Sequence, residues 1–218
     1  MKITPSTKQR TEIMARQVGI LIFPEVEVLD FCGPFEVFSV TRLDENRRRE
    51  EPSPYDVVLV AEQKEPVVAT GGMKVIPDHT FPDCPPLDVL VVPGGWGTRR
   101  EMRNDSLIAW IAERGRQVTT LTSVCTGSLL LGKAGLLDSK RATTHWRVLE
   151  EMRRLLPAVN VIDDQHVVEE GEVITSAGIS AGIDMALRVV SRHHGEAVAR
   201  ATAKYMEYPF PTDNRRRV

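Results

Sequence analysis

A single cysteine between a strand-like run and a helix-like run is the feature that most constrains the fold of this chain. Residues Val118–Val124 are mostly β-branched or apolar, as in a central parallel strand, and Ser128–Ala134 has the composition of a buried helix. We therefore predict a sharp strand-to-helix elbow at Cys125, with Gly127 relaxing the turn. The helix N-terminus is expected to stabilise the thiolate and lower its pKa. The alternative is that the cysteine is a small buried hydrophobe.

The rest of the chain alternates between strand-like and helix-like runs. Short apolar runs predict strands at Val18–Phe23, Tyr55–Ala61 and Leu87–Val92, and Gly71-Gly72 predicts the turn of a hairpin. Helices are expected over Gly33–Leu43, over Thr98–Arg114 with Gly115 as C-cap, over Ile183–His193 and over Glu196–Tyr208. This alternation favours an α/β sandwich with a largely parallel sheet.

Length and composition predict one domain over residues 17–208, a loose extension over 1–16 and a tail over 209–218 with a frayed basic end. A formal charge of −2 with 27% charged residues does not favour nucleic-acid or membrane partners. The three cysteines lack CxxC spacing, which argues against disulfides or a cysteine zinc site and favours a reducing cytoplasm. The sequence shows no signal peptide and no bilayer-spanning apolar run.

Several loops are expected to meet beyond the carboxyl ends of the strands, where α/β sheets bind ligands. They carry Asp30, Gly94-Gly95 and Cys125-Thr126. Apolar neighbours would desolvate Asp30, raise its pKa and let it act as an acid or base. The glycine amides would face a developing negative charge. The alternatives are a helix N-cap for Asp30, a plain tight turn for the glycines and an ordinary helix-start residue for Thr126.

Two further loop segments are expected to contribute to the same pocket. Trp96 follows the double glycine and is expected to wall the pocket, the alternative being a surface or interface aromatic. Ala177-Gly178 is expected in a loop facing the elbow. No metal site is expected, because no two candidate ligands share a helical face with a supporting carboxylate.

Five segments together resemble the ThiJ/PfpI superfamily, and the resemblance spans most of the chain. They are Phe23–Pro34, Pro85–Gly95, Ser123–Leu137, Arg141–Trp146 and Ser176–Asp184. The elbow followed by Arg-Ala-Thr-Thr-His-Trp is the most specific of them. The resemblance implies a class I glutamine amidotransferase-like fold, a flavodoxin-like three-layer sandwich with a cysteine nucleophile elbow.

Within the superfamily the chain is most similar to the isonitrile (isocyanide) hydratase subgroup, which has aspartate as acidic partner and threonine after the cysteine. Asp30, Cys125 and Thr126 match those positions. The resemblance implies a homodimer that hydrates an isonitrile to an N-substituted formamide without a cofactor. It implies Cys125 as nucleophile through a thioimidate, and Asp30 as general acid and base. In this subgroup the histidine at the position of His145 is a packing feature.

Other readings stay open at this point. One is glyoxalase or deglycase chemistry on reactive carbonyls, against which Asp30 and Thr126 count. Another is a ligand-sensing module like that of AraC-type regulators, although we expect no helix-turn-helix region like that of those chains in this sequence. A third is an oxidation sensor, because an acidic thiol at Cys125 would oxidise readily.

Overall fold

The computed structural model describes residues 15–217 of the chain. The strands are β1 (Arg16–Leu21), β2 (Tyr55–Ala61), β3 (Val67–Val68), β4 (Lys74–Val75), β5 (His79–Thr80), β6 (Val89–Val92), β7 (Thr120–Val124), β8 (Arg141–Ala142), β9 (Asn160–Val161), β10 (Val167–Glu170) and β11 (Val173–Ser176). The helices are α1 (Val28–Val40), α2 (Thr98–Glu101), α3 (Asp105–Gln117), α4 (Gly127–Lys133), α5 (Leu149–Leu155), α6 (Ala181–His194) and α7 (Glu196–Tyr205). The expected N-terminal extension lies outside the described residues, except that Arg16 already begins β1. Within residues 15–217, no helix is long and apolar enough to cross a membrane.

A seven-stranded sheet in the order β10-β11-β7-β6-β1-β2-β5 forms the middle layer. Its neighbouring strands run parallel, except for the antiparallel pair of β10 and β11. Helices α1, α6 and α7 pack together on one face, and α3 and α4 pack on the other. Strands β6 and β7 are buried throughout because both faces are covered. The predicted α/β sandwich with a largely parallel sheet is confirmed.

The strand order reverses at β1, which pairs with β2 on one side and with β6 on the other. Connections that leave β1 and β6 therefore diverge and open a crevice at the carboxyl ends of the strands. The loops after β1, β6, β7 and β11 meet there, as the sequence predicted for the first three.

Helix α1 starts earlier than predicted. It begins at Val28 rather than Gly33, and Pro34 lies inside it although proline has no N–H to donate there. Burial of Phe31, which is 2% exposed, supports the early start. Consequently Asp30 lies in the first turn of the helix rather than in the loop before it.

The predicted helix over Thr98–Arg114 is two helices. Asn104 interrupts it, because its side chain accepts a hydrogen bond from the Leu107 N–H at 3.2 Å and so caps the start of α3. Gly115 lies within α3, which continues to Gln117, so the prediction of a C-cap at Gly115 was wrong.

The C-terminal segment is packed rather than frayed, which corrects the expectation from its basic composition. The Asn214 side chain exchanges two hydrogen bonds with the backbone of Val167, at 3.0 and 2.8 Å. The Asn214 carbonyl accepts from the His166 N–H at 2.8 Å. Arg217 forms an ion pair at 2.8 Å with Asp184, which is 1% exposed. These partners tie the segment to β10 and α6.

Candidate active site

Cys125 lies between the end of β7 and the start of α4, where the sequence places it. Its φ is 56°, a left-handed conformation that costs a non-glycine residue about 1–3 kcal/mol. Its N–H donates to the Ala177 carbonyl at 3.0 Å. Its carbonyl accepts from the hydroxyls of Thr144 at 3.0 Å and Ser128 at 3.1 Å. These three hydrogen bonds offset the strain and fix the sharp turn.

The Asp30 carboxyl group is fully buried beside this turn. The Gly94 N–H donates to its Oδ2 at 2.9 Å. Burial raises the pKa of Asp30 to about 7, despite the opposing effects of the Gly94 N–H and the Cys125 thiol. The residue at the N-cap of α1 is Glu27, so Asp30 is not the helix cap that the alternative reading required. A carboxyl group with this pKa can hold or release a proton near neutral pH.

The pKa of Cys125 is raised, so the expectation of a thiol acidified by the helix N-terminus was wrong. Burial is the largest cause, since the residue is 7% exposed, and the negative charge of Asp30 is the second. The backbone N–H groups of Thr126 and Ile179 lower the pKa but do not outweigh these two effects. Asp30 and Cys125 are thus a coupled pair in which the loss of one proton makes the loss of the second harder.

The two glycine amides after β6 hold the acid and the threonine instead of facing the ligand. The Gly94 N–H donates to Asp30, and the Gly95 N–H donates to the Thr126 hydroxyl oxygen at 3.1 Å. That hydroxyl also lies 2.8 Å from the Thr98 hydroxyl. A Cβ at Gly94 would stand 2.4 Å from the Thr126 Oγ1, so only glycine fits this approach. Both amides are occupied within the protein, which revises the expectation that they would face a developing charge.

A cleft of about 460 Å³ opens above Cys125. Its wall consists of Glu27, Gly95, Trp96, Arg99, Cys125, Thr126, His145, Trp146, Arg147, Val148 and Ile179. Trp96 lines the cleft and is 73% exposed, and Trp146 is 47% exposed. A larger cavity of about 710 Å³ lies nearby but contains neither Cys125 nor Thr126. We place the site in the smaller cleft, because Cys125 and Thr126 line it, whereas Asp30 is buried behind the wall next to Cys125.

The loop after β11 supplies backbone groups rather than a simple wall. Ala177 contributes the carbonyl that holds the Cys125 N–H. Gly178 packs against the ring of His145, and a Cβ there would stand 2.1 Å from the imidazole Cδ2. Ile179 lines the cleft, and its N–H lies close enough to lower the pKa of both Asp30 and Cys125. It was not predicted individually, although it lies in the family-like segment Ser176–Asp184.

His145 lines the cleft, a position that the interpretation of this residue as a packing feature did not predict. Its Nδ1 accepts from the Arg147 N–H at 3.3 Å. Burial lowers the pKa of His145, and the charges of Arg147 and Arg216 lower it further. The imidazole is therefore neutral near pH 7 and forms part of the wall.

The remaining cysteines lie away from this cleft. Neither Cys32 nor Cys84 lines it, and burial raises the pKa of each thiol. In the part of the chain that the structure describes, no three His, Cys, Asp or Glu side chains converge as a metal site requires.

Comparison with known proteins agrees with the fold. The chain is 40% identical over 200 residues to isonitrile hydratase from Pseudomonas putida, which covers 91% of this chain and 81% of that protein. It is 30% identical over 186 residues to a helix-turn-helix transcriptional regulator from Pseudomonas aeruginosa, covering 85% of this chain and 53% of the regulator. The chain thus spans about half the length of that regulator.

A crystal structure of a ThiJ/PfpI family protein from Pseudomonas syringae has a TM-score of 0.78 and 30% identity, covering 97% of this chain and 85% of that one. The model of the DJ-1/PfpI family matches residues 16–192, a range that includes Asp30, Cys125 and Thr126. The chain belongs to the DJ-1/PfpI family.

Proposed function

We propose that this protein hydrates isonitriles to N-substituted formamides, with Cys125 as nucleophile and Asp30 as general acid and base. The observation that carries the proposal is the buried pair: a thiol next to a carboxyl group whose pKa is raised to about 7. The 40% identity to an isonitrile hydratase supports this substrate class.

The first step forms a thioimidate. Once the pair has lost one proton, the thiol proton passes to Asp30 and leaves a thiolate on Cys125. The sulfur lone pair attacks the terminal isonitrile carbon and forms the C–S bond. The electron pair on that carbon then takes the proton from Asp30, which gives an enzyme-bound R–N=CH–S group. The N–H groups of Thr126 and Ile179, which lower the pKa of the thiol, stabilise the thiolate before attack.

The second step releases the formamide. Asp30, now a carboxylate, removes a proton from water as its oxygen bonds to the thioimidate carbon, and the nitrogen takes that proton. The hydroxyl proton of the adduct then passes to Asp30 as the C=O bond forms and the C–S bond breaks. The products are R–NH–CHO and the pair with its original proton, so the reaction consumes one water.

The cleft favours substrates with a flat or bulky substituent. Trp96, Trp146 and Val148 supply apolar surface at its wall. The homodimer expected from the resemblance stays a prediction, which size-exclusion chromatography with light scattering would test.

Turnover of p-nitrophenyl isocyanide by the wild type, Cys125→Ala and Cys32→Ala tests the proposal. Cys32→Ala is the matched control, because it removes a thiol that does not line the cleft. We expect the formamide from the wild type and Cys32→Ala and none from Cys125→Ala. No formamide from the folded wild type, or equal formamide from Cys125→Ala, would overturn the proposal.

A further inference from the structure

We propose that the C-terminal segment 213–217 is a strap that positions one wall of the active-site cleft, and that Arg216 is its positioning residue. The strap lies beyond residues 16–192, which the family model matches. Its effect on turnover rests on the proposed function, whereas its effect on the accessibility of Cys125 does not.

Arg216 binds four oxygen acceptors. Its Nη2 donates to the Thr143 hydroxyl oxygen at 2.5 Å, and both Nη atoms lie 3.2 Å from the Thr144 carbonyl oxygen. Its Nε donates to the Asp163 carbonyl at 2.6 Å, and its backbone N–H donates to the Asp164 carbonyl at 2.9 Å. The planar guanidinium reaches three of these acceptors at once, those of Thr143, Thr144 and Asp163, which a single ammonium group cannot do.

The residues held by Arg216 lead directly to the cysteine. Thr143 and Thr144 are fully buried, and the Thr144 hydroxyl donates to the Cys125 carbonyl at 3.0 Å. The next residue, His145, lines the cleft. One guanidinium therefore fixes the segment that supports the strained cysteine and the segment that forms the wall beside it.

The charge of Arg216 is felt by its neighbours. Burial lowers the pKa of Arg216, and the carboxylates of Asp163 and Asp164 oppose this effect by favouring its charged form. The charge of Arg216 in turn lowers the pKa of His145, along with the charge of Arg147. The guanidinium thus acts on the wall through both hydrogen bonds and charge.

Other contacts anchor the strap on either side of Arg216. Asn214 pairs with Val167 through two hydrogen bonds. Arg217 pairs with Asp184, which also accepts from the Tyr208 hydroxyl at 2.9 Å. Since these contacts do not involve Arg216, its substitution should leave the strap attached and the chain folded.

The test uses full-length Arg216→Ala, with Arg215→Ala as matched control. Arg215 is exposed, and its side chain makes no hydrogen bond or ion pair to residues 15–217, so the control removes the same charge one residue away. We expect Arg216→Ala to lower kcat about tenfold with a smaller change in KM, because misplacement of a reacting group acts mainly on the chemical step. Arg216→Lys should recover part of this loss, and Arg215→Ala should match the wild type.

Iodoacetamide labelling followed by mass spectrometry supplies a readout that needs no isonitrile. Loosening of the wall should speed alkylation of Cys125 several-fold in Arg216→Ala. This corresponds to a decrease of about 0.5–1 kcal/mol in the activation free energy of alkylation. Labelling of buried Cys84 should stay unchanged, which separates the local effect from general unfolding. If the wild type gives no formamide, the proposed hydratase function fails while this comparison still tests the strap.

Thr143→Val gives an independent variant if Arg216→Ala does not fold, because it removes one acceptor of Arg216 and leaves the guanidinium in place. We expect slower turnover and faster Cys125 labelling in Thr143→Val and, where Arg216→Ala folds, effects of the two substitutions that do not add in the double variant. Rates in the Arg216 and Thr143 variants equal to those of Arg215→Ala, or equal losses in all of them, would overturn the proposal.

Discussion

The negative charge of Asp30 raises the pKa of the Cys125 thiol, and the thiol in turn lowers the pKa of Asp30 by hydrogen bonding to it. The pair therefore favours the state with a single negative charge and one shared proton. That state is suited to adding a sulfur nucleophile and a proton to the same substrate, because proton transfer within the pair produces a thiolate and a carboxylic acid together.

The first prediction concerns the pH dependence of activity. Because Asp30 has a pKa of about 7, kcat/KM of the wild type should rise with pH through about 7, as the doubly protonated pair loses its first proton. Asp30→Asn should lower kcat/KM about 10²–10³-fold and remove this step from the profile. Steady-state hydration between pH 5 and 9 measures it, and an unchanged profile in Asp30→Asn contradicts the assignment.

The second prediction concerns stability. Asp30 keeps its proton in the folded state up to about pH 7, whereas the unfolded chain loses it near pH 3.8. Its stabilising contribution is therefore complete below pH 3.8 and is lost as the pH rises through 7. Asp30→Asn, which has no proton to lose, should gain stability relative to the wild type between pH 4 and 8, on the order of 4 kcal/mol at most.

Urea unfolding at several pH values would measure this difference. Asp138→Asn, at an exposed position, is the control for loss of a carboxylate. A stability difference between Asp30→Asn and the wild type that stays constant from pH 4 to 8 would mean that Asp30 does not hold a raised pKa.

The third prediction distinguishes the contribution of the Thr126 hydroxyl group from that of the side-chain volume. The hydroxyl connects Gly95 to Thr98 beside the cysteine. Thr126→Val keeps the shape but leaves the Gly95 N–H without an acceptor, so kcat should fall about tenfold or more. Thr126→Ser keeps the hydroxyl and should retain most of the activity. Equal loss in the two variants would assign the effect to packing.

The fourth prediction tests His145 as a general base. Its pKa is lowered and its Nδ1 accepts from Arg147, so we expect it to shape the cleft rather than transfer protons. His145→Gln should raise KM and change kcat by no more than about threefold, far less than the 10²–10⁴-fold typical of a lost general base. A kcat as low as that of Cys125→Ala would show that the cysteine works with a histidine.

The parts of the fold that depend on local patterns could be predicted from the sequence. Apolar runs identified β1, β2 and β6, and β6 needs no alternation because it is buried throughout. The elbow at Cys125 was predicted because a β-branched run meets a helix-forming run with only a short turn between them. Trp96 could be assigned to the loop that lines the cleft, because a loop after a buried strand opens at the ligand-binding edge.

The features that depend on distant partners could not be predicted. The pKa of Cys125 is set by burial and by Asp30, which outweigh the local effect of the helix N-terminus. The amides of Gly94 and Gly95 are bound to Asp30 and Thr126, partners that only the folded chain brings near. The basic composition of the C-terminal tail predicts a frayed end, whereas in the structure Arg216 donates hydrogen bonds to the buried segment around Thr143.

The most direct measurement is rapid-quench mass spectrometry of the wild type during turnover of p-nitrophenyl isocyanide, with peptide mapping of all three cysteines. The account predicts that the mass of one isonitrile is added at Cys125 and lost as formamide appears, with Cys32 and Cys84 unmodified. Formamide produced at the full rate by Cys125→Ala would contradict it, because the carbon would then be hydrated without the sulfur.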